Sequence, residues 1–150
     1  MNSLAVASRS FSKHPVLRKE VLRRYPNAKF NDEGLSLKDG PLVNFLSGYE
    51  KAITGLEKID EALLLQLPEL KVIGKYGVGL DMVDLQAMSD LGLKLGWTGG
   101  VNKRSVSELV VSFAIALLHR AVYANAEVRS GKWNQIKGRQ LSKCTFGVIG

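Results

Sequence analysis

Lys71-Val-Ile-Gly-Lys-Tyr-Gly-Val-Gly79 is the stretch that decides how this chain folds. Its first four residues read as a short buried strand. The remaining five read as a glycine-bearing loop that starts where the strand stops. Downstream, Asp84 is placed to cap a short helix over 85–91, Gly92 closes it, and Leu93-Lys-Leu95 is a further strand. A second flexible loop, Thr98-Gly-Gly100, follows.

The same alternation runs upstream. Leu4-Ala-Val-Ala7 is a short strand. Residues 14–25 place Val16, Leu17, Val21 and Leu22 at helical spacing, with Pro15 in the first turn and Pro26 as the stop. Ala28-Lys-Phe30 is a weak strand, and 36–46 predicts a helix whose start Gly40-Pro41 disturbs. Lys51-Ala-Ile-Thr54 is a strand, and 59–67 a Leu-rich helix ended by Pro68. Strand–helix alternation of this kind predicts an α/β fold with a mostly parallel sheet and right-handed crossovers. Ligands of such sheets bind at the carboxyl ends of the strands, where both glycine loops fall.

Past residue 100 the pattern changes. Ser105-Val-Ser-Glu108 has the form of a capping box. It predicts one long helix running to about residue 129, with Gly131 beyond it. Ten of the thirteen residues 106–118 are apolar, so this half is expected to be buried nearly all round. Gly131-Lys-Trp133 reads as a turn, and Thr145-Phe-Gly-Val-Ile-Gly150 as a buried strand running into a glycine. The first strand of a dinucleotide-binding unit delivers the chain to its phosphate turn in that way, with Gly150 as the turn's first residue.

Composition is that of a globular domain, with 45% hydrophobic and 23% charged residues among 150. The net charge of +7 is uneven: residues 1–30 hold seven Lys/Arg against Glu20, and 119–143 hold six against Glu127. These charges lie on helix-like faces without interleaved aromatics, which argues for solvated faces and against nucleic acid. The longest apolar stretch, 109–118, is too short to span a bilayer, and a cytoplasmic location is expected. Cys144, the single cysteine, is expected to be a small buried side chain. His14 and His119 are expected to be structural or solvated.

Three segments together resemble the D-isomer-specific 2-hydroxyacid dehydrogenases, the group that includes phosphoglycerate dehydrogenase. They are Leu70-Lys-Val-Ile-Gly-Lys-Tyr-Gly-Val-Gly-Leu-Asp-Met-Val-Asp-Leu85, Gly99-Gly-Val-Asn-Lys-Arg-Ser-Val-Ser-Glu-Leu109, and Gly131-Lys-Trp133 through Phe146-Gly-Val-Ile-Gly150. The resemblance implies a flavodoxin-like substrate domain over residues 1–100, then the start of a nucleotide-binding (Rossmann) domain over 101–150. It implies reversible hydride transfer between NAD (or NADP) and C2 of a small anionic 2-hydroxy or 2-keto acid. It further implies a homodimer of the intact protein, built in part on the long helix.

On this resemblance Tyr76, Val78 and Gly79 belong to a loop that binds the substrate carboxylate, and glycine there lets main-chain amides come close. Asn102 matches an asparagine near the domain cleft, with polar contact to substrate or nicotinamide. Gly150 begins the cofactor's glycine turn. The family's catalytic arginine, glutamate and histidine correspond to positions past residue 150, so the 150 residues are expected to be an inactive front portion. Lys75 and Arg104 are candidates to lend positive charge. A non-catalytic acid-binding or dimerisation module is the alternative. A receiver-type signalling domain ranks last, because the ends of the first and third strands read Ser8-Arg-Ser10 and Thr54-Gly-Leu56 in place of the acidic residues it needs.

Overall fold

The computed structural model describes residues 3–149. Residues 1–100 and 101–150 form two separate compact units.

The first unit is a five-stranded, all-parallel sheet. Its strands are β1 (Leu4–Val6), β2 (Lys29–Phe30), β3 (Lys51–Thr54), β4 (Val72–Lys75) and β5 (Lys94–Gly96). Their order is β2-β1-β3-β4-β5, the flavodoxin-like order. Register pairs Ala5 with Ala52, Ala52 with Ile73, and Ile73 with Leu95. Two clusters sandwich the sheet. One gathers Ala5, Ala52, Ile73, Leu42, Leu46, Ile59, Leu63 and Met88; the other gathers Leu4, Val6, Phe11 and Phe30. That burial on both faces is why strands of a parallel sheet read as short apolar runs.

The connecting helices follow the sequence with shifts. The expected 14–25 helix is α2 (Pro15–Arg24), preceded by an additional short turn, α1 (Arg9–Lys13). His14 is the α2 N-cap, its Nδ1 accepting the Leu17 amide at 3.4 Å. The 36–46 helix begins three residues late, as α3 (Asp39–Leu46), with Gly40 and Pro41 inside its first turn. The 59–67 helix shrinks to α4 (Glu61–Leu64), capped by Asp60, whose Oδ1 accepts the Leu63 amide at 3.0 Å. Helix α5 (Leu85–Asp90) has the expected Asp84 cap, which accepts the Ala87 amide at 2.9 Å, and Gly92 follows at φ +71°.

The second unit departs from its sequence reading in five ways. The long helix is two: α6 (Lys103–Leu118) and α7 (Ala121–Arg129), bent by 61° where Arg120 adopts a left-handed conformation at φ 50°. The capping box does not form, because α6 starts early enough to place Ser105 inside its first turn. Glu108 faces Arg104 one helical turn back at 3.9 Å instead of reaching the cap. The apolar half is not buried all round: Ala114 is buried, whereas Phe113 and Leu117 are 58% and 78% exposed. Residues 145–149 form no strand, since no neighbouring strand is there to accept their backbone hydrogen bonds, and Ile149 is fully exposed. Gly150 lies outside the described residues. Cys144 is half-buried rather than buried, its thiol donating to the Gln140 carbonyl at 3.2 Å. Among the described residues no single helix is long and apolar enough to cross a membrane; α6 and α7 meet the length and composition criteria only as a bent pair.

Candidate functional site

The carboxyl ends of β1, β3 and β4 converge in the first unit, and each is held by polar side chains. At the end of β1, the Ser12 hydroxyl donates to the Val6 carbonyl at 3.2 Å and accepts the Asn31 amide at 3.1 Å. The buried Asn31 side chain donates to the Ala7 and Leu35 carbonyls, each at 2.8 Å, and accepts the Leu35 amide at 3.0 Å. At the end of β3, the Gly55 peptide is bracketed: its N–H donates to the buried Glu57 carboxylate and its carbonyl accepts from Lys75. Ser8 closes in from β1, so that a Cβ on Gly55 would lie 2.7 Å from the Ser8 hydroxyl. Only glycine fits at that point.

The loop after β4 is anchored at both ends. The Tyr76 amide donates to the Thr54 carbonyl at 2.7 Å, and the Ile59 amide to the Met82 carbonyl, also at 2.7 Å. The Tyr76 ring stands edge-on to Phe11, with centroids 5.1 Å apart and planes at 86°. Gly77 sits at φ +125°, a conformation open in practice only to glycine. Trp97, just past β5, donates its indole N–H to the Val78 carbonyl at 3.1 Å. Neither the Val78 nor the Gly79 amide donates to a described residue. The loop therefore presents two free N–H groups on a backbone whose carbonyl side is already fixed.

Beside this loop lies a cleft of about 610 Å³, lined by Ser8, Arg9 and Ser10 after β1, Lys38 and Asp39 at the start of α3, Gly55 to Lys58 after β3, and Tyr76 and Met82. Lys58 is paired with Asp60 at 2.8 Å. Hydrogen bonding to Asp60, with the neighbouring charge of Asp39, holds the Lys58 ammonium above its ordinary pKa. The Asp60 carboxyl is correspondingly held low, first by the Lys58 hydrogen bond and then by the Leu63 amide.

Of the residues singled out from sequence, Tyr76, Val78 and Gly79 share one loop, with Lys75 at its base. Asn102 opens the second unit as the residue before α6 and makes no side-chain cap bond. His119 packs on Gly138 within that unit, where an added Cβ would lie 2.7 Å from the imidazole Nδ1. Arg104 is an exposed helix residue facing Glu108. The sequence reading passed over Ser8, Arg9, Lys38 and Glu57 as site residues. Their signal was available in the rule that strand ends carry ligands, since Ser8-Arg-Ser10 and Gly55-Leu56-Glu57 both follow strands.

Residues 7–138 match the family described as "D-isomer specific 2-hydroxyacid dehydrogenase, catalytic domain". The chain belongs to that family. A glyoxylate reductase of Thermococcus litoralis is 32% identical over 108 residues, covering 63% of this chain and 33% of the relative. A D-3-phosphoglycerate dehydrogenase of Archaeoglobus fulgidus is 30% identical over 112 residues, covering 73% of this chain and 21% of the relative. Among solved structures, D-lactate dehydrogenase from Aquifex aeolicus, complexed with NAD and lactic acid, superposes with a TM-score of 0.74 over 93% of this chain and 41% of its own, at 21% identity; that likeness is one of fold. The chain thus spans about a third or less of the length of these curated relatives.

Proposed function

We propose that this chain is the substrate-binding portion of an NAD-dependent D-2-hydroxyacid dehydrogenase, and that the loop Tyr76 to Gly79 holds the carboxylate of a small 2-hydroxy or 2-keto acid. One observation carries this reading: two unpartnered amides, Val78 and Gly79, on a loop pinned at Thr54, Met82 and Trp97. Amides fixed before the ligand arrives cost little to order when it binds, and a carboxylate gains charge-assisted hydrogen bonds from both. Lys75, beside Gly77, adds positive charge at the base of the loop.

In the whole protein, residues 1–100 act as the substrate domain and residues 101–150 begin the nucleotide-binding domain, with Asn102 contributing polar contact at the cleft. NAD or NADP supplies the hydride chemistry when bound. Among the described residues, 145–149 make no strand of the kind that carries a phosphate turn. The role derived for this chain is therefore to bind and orient the acid. The 150-residue chain by itself is expected to show no NAD-dependent oxidation of any 2-hydroxy acid; turnover by the purified chain contradicts that.

A second reading is favoured by the exposed apolar face of the second unit, where Phe113, Leu117, Val122 and Tyr123 surround an open groove of about 710 Å³. There, two copies of the chain pair through α6 and α7. Sedimentation of the purified chain separates it from a monomer.

The carboxylate reading is tested by titrating the isotopically labelled chain with D-lactate and following backbone amide resonances. Saturable shifts at Val78 and Gly79 are expected. Resonances that stay unmoved while the chain is folded refute the assignment of this loop.

A further inference from the structure

We propose that the cleft beside the proposed carboxylate loop is a second anion subsite, in which Arg9 and Lys38 receive a negatively charged group at the far end of the acid, so that the preferred ligands are 2-hydroxy acids bearing a second anionic group. This inference rests on the carboxylate reading of the Tyr76 to Gly79 loop and adds the substrate class.

The charge inventory of the cleft carries it. Five charged side chains line it: Arg9, Lys38, Asp39, Glu57 and Lys58. Glu57 is buried and accepts the Gly55 amide, and Lys75 donates to the carbonyl of the same residue. Lys58 is taken by Asp60 at 2.8 Å and lies in the field of Asp39. Asp39 is a carboxylate without an ion pair among the described residues, and the unspent cations are Arg9 and Lys38. Both are exposed, and neither makes an ion pair or side-chain hydrogen bond with a described residue.

The two cations belong to the rim of one concavity rather than to open surface. Arg9 follows the buried end of β1, and Lys38 immediately precedes α3. Tyr76 belongs to both the cleft wall and the carboxylate loop, so an acid held by the loop amides has the cleft as its continuation. Ser8 and Ser10, with hydroxyls 3.4 Å apart, supply neutral hydrogen-bonding groups on the same wall. With two unspent cations against one unpaired carboxylate, the concavity keeps a net positive charge, which favours an anion over the methyl group of a simple 2-hydroxy acid. A planar guanidinium beside an ammonium suits either a carboxylate or a phosphate.

The test compares three ligands on the 150-residue chain at low ionic strength, by calorimetry and amide resonance shifts: D-lactate, D-2-hydroxyglutarate and D-3-phosphoglycerate. The two acids with a second anionic group are expected to bind at least about tenfold more tightly than D-lactate, in keeping with one added interaction between charges near a protein surface. Whichever of them gains more identifies carboxylate or phosphate as the distal group. In R9Q/K38Q that advantage disappears while D-lactate affinity is unchanged. K19Q, remote from the cleft, retains the advantage and so removes the chain's overall positive charge as an explanation. Both cations are exposed, and circular dichroism verifies that the variant is folded; R9K, which keeps the charge, retains at least part of the advantage. Equal affinities for all three ligands, or an advantage that survives R9Q/K38Q, overturn the second subsite and leave the loop assignment standing. D-lactate that fails to move Val78 and Gly79 refutes the loop assignment itself.

Discussion

The two units of this chain use similar apolar residues to opposite effect. In residues 1–100, side chains from every strand and from α3, α4 and α5 close over the sheet, and Leu42, Leu46, Ile59 and Ile73 are wholly buried. In the described part of 101–150, Ala114 is the one buried hydrophobic residue, although α6 contains Val106, Leu109, Val111, Phe113, Ile115 and Leu117. Apolar content does not make a core; a second layer to close against does. The comparison also locates rigidity. The Tyr76 to Gly79 loop, proposed above to hold the acid, grows from the unit that has a core and is tied to three of its strand or helix ends, which keeps its backbone fixed.

The largest expected contrast is in stability. Ile73→Ala should cost about 2–5 kcal/mol in urea denaturation, because it opens a cavity between the sheet and its helices. Leu117→Ala, at a side chain 78% exposed, should fall within about 0.5 kcal/mol of the parent. A large loss at Leu117 breaks the contrast and shows that α6 is covered in solution. Next in size is Gly77→Ala, where the positive φ predicts about 1–3 kcal/mol of strain together with lost D-lactate shifts at Val78 and Gly79. Unchanged binding by that variant means that the loop geometry is not what the ligand reads.

Helix starts provide a finer comparison. Asp84→Ala removes the cap bond to Ala87 and should cost about 0.5–2 kcal/mol. Asn102→Ala at the corresponding position of α6 removes no such bond and should leave the denaturation midpoint in place. Hydrogen exchange extends the contrast: 141–149 should exchange fastest and the amides of β1, β3 and β4 slowest. Strong protection at 145–149 in a monomer would reveal strand pairing there. The smallest effect concerns pH. The Asp60 carboxyl has its pKa lowered in the folded chain, so its stabilisation is complete above the unfolded value of about 3.9 and disappears as pH falls through the folded value. Asp60→Asn should flatten that part of the acid-stability profile, and an unaltered profile removes Asp60 from the account.

Legibility in the sequence followed the same division. Lys51 to Thr54 is a strand at the residues its pattern indicates, and Asp84 caps α5 as its position predicts. Local signals worked there because tertiary packing agrees with them. Beyond residue 100 they misled. Ser105-Val-Ser-Glu108 has the form of a cap, yet the preceding residues continue the helix and leave Ser105 inside it. Thr145 to Ile149 has the composition of a strand, but a strand exists only through its neighbours. Within the candidate site, Tyr76, Val78 and Gly79 share one loop because they adjoin in sequence, and that much a sequence shows. Arg9, Lys38 and Glu57 lie far apart in sequence, and only the return of β1, β2 and β3 to one edge of the sheet assembles them.

The indole bond from Trp97 to the Val78 carbonyl has a practical consequence. Trp97 and Trp133 are the chain's two tryptophans, and Trp133 stands 87% exposed in the other unit. Replacing Trp133 with Phe leaves Trp97, attached to the loop proposed to meet the acid, as the one tryptophan, and excitation at its red edge avoids the four tyrosines. Ultraviolet fluorescence then reads occupancy directly, with no label and no coupled reaction.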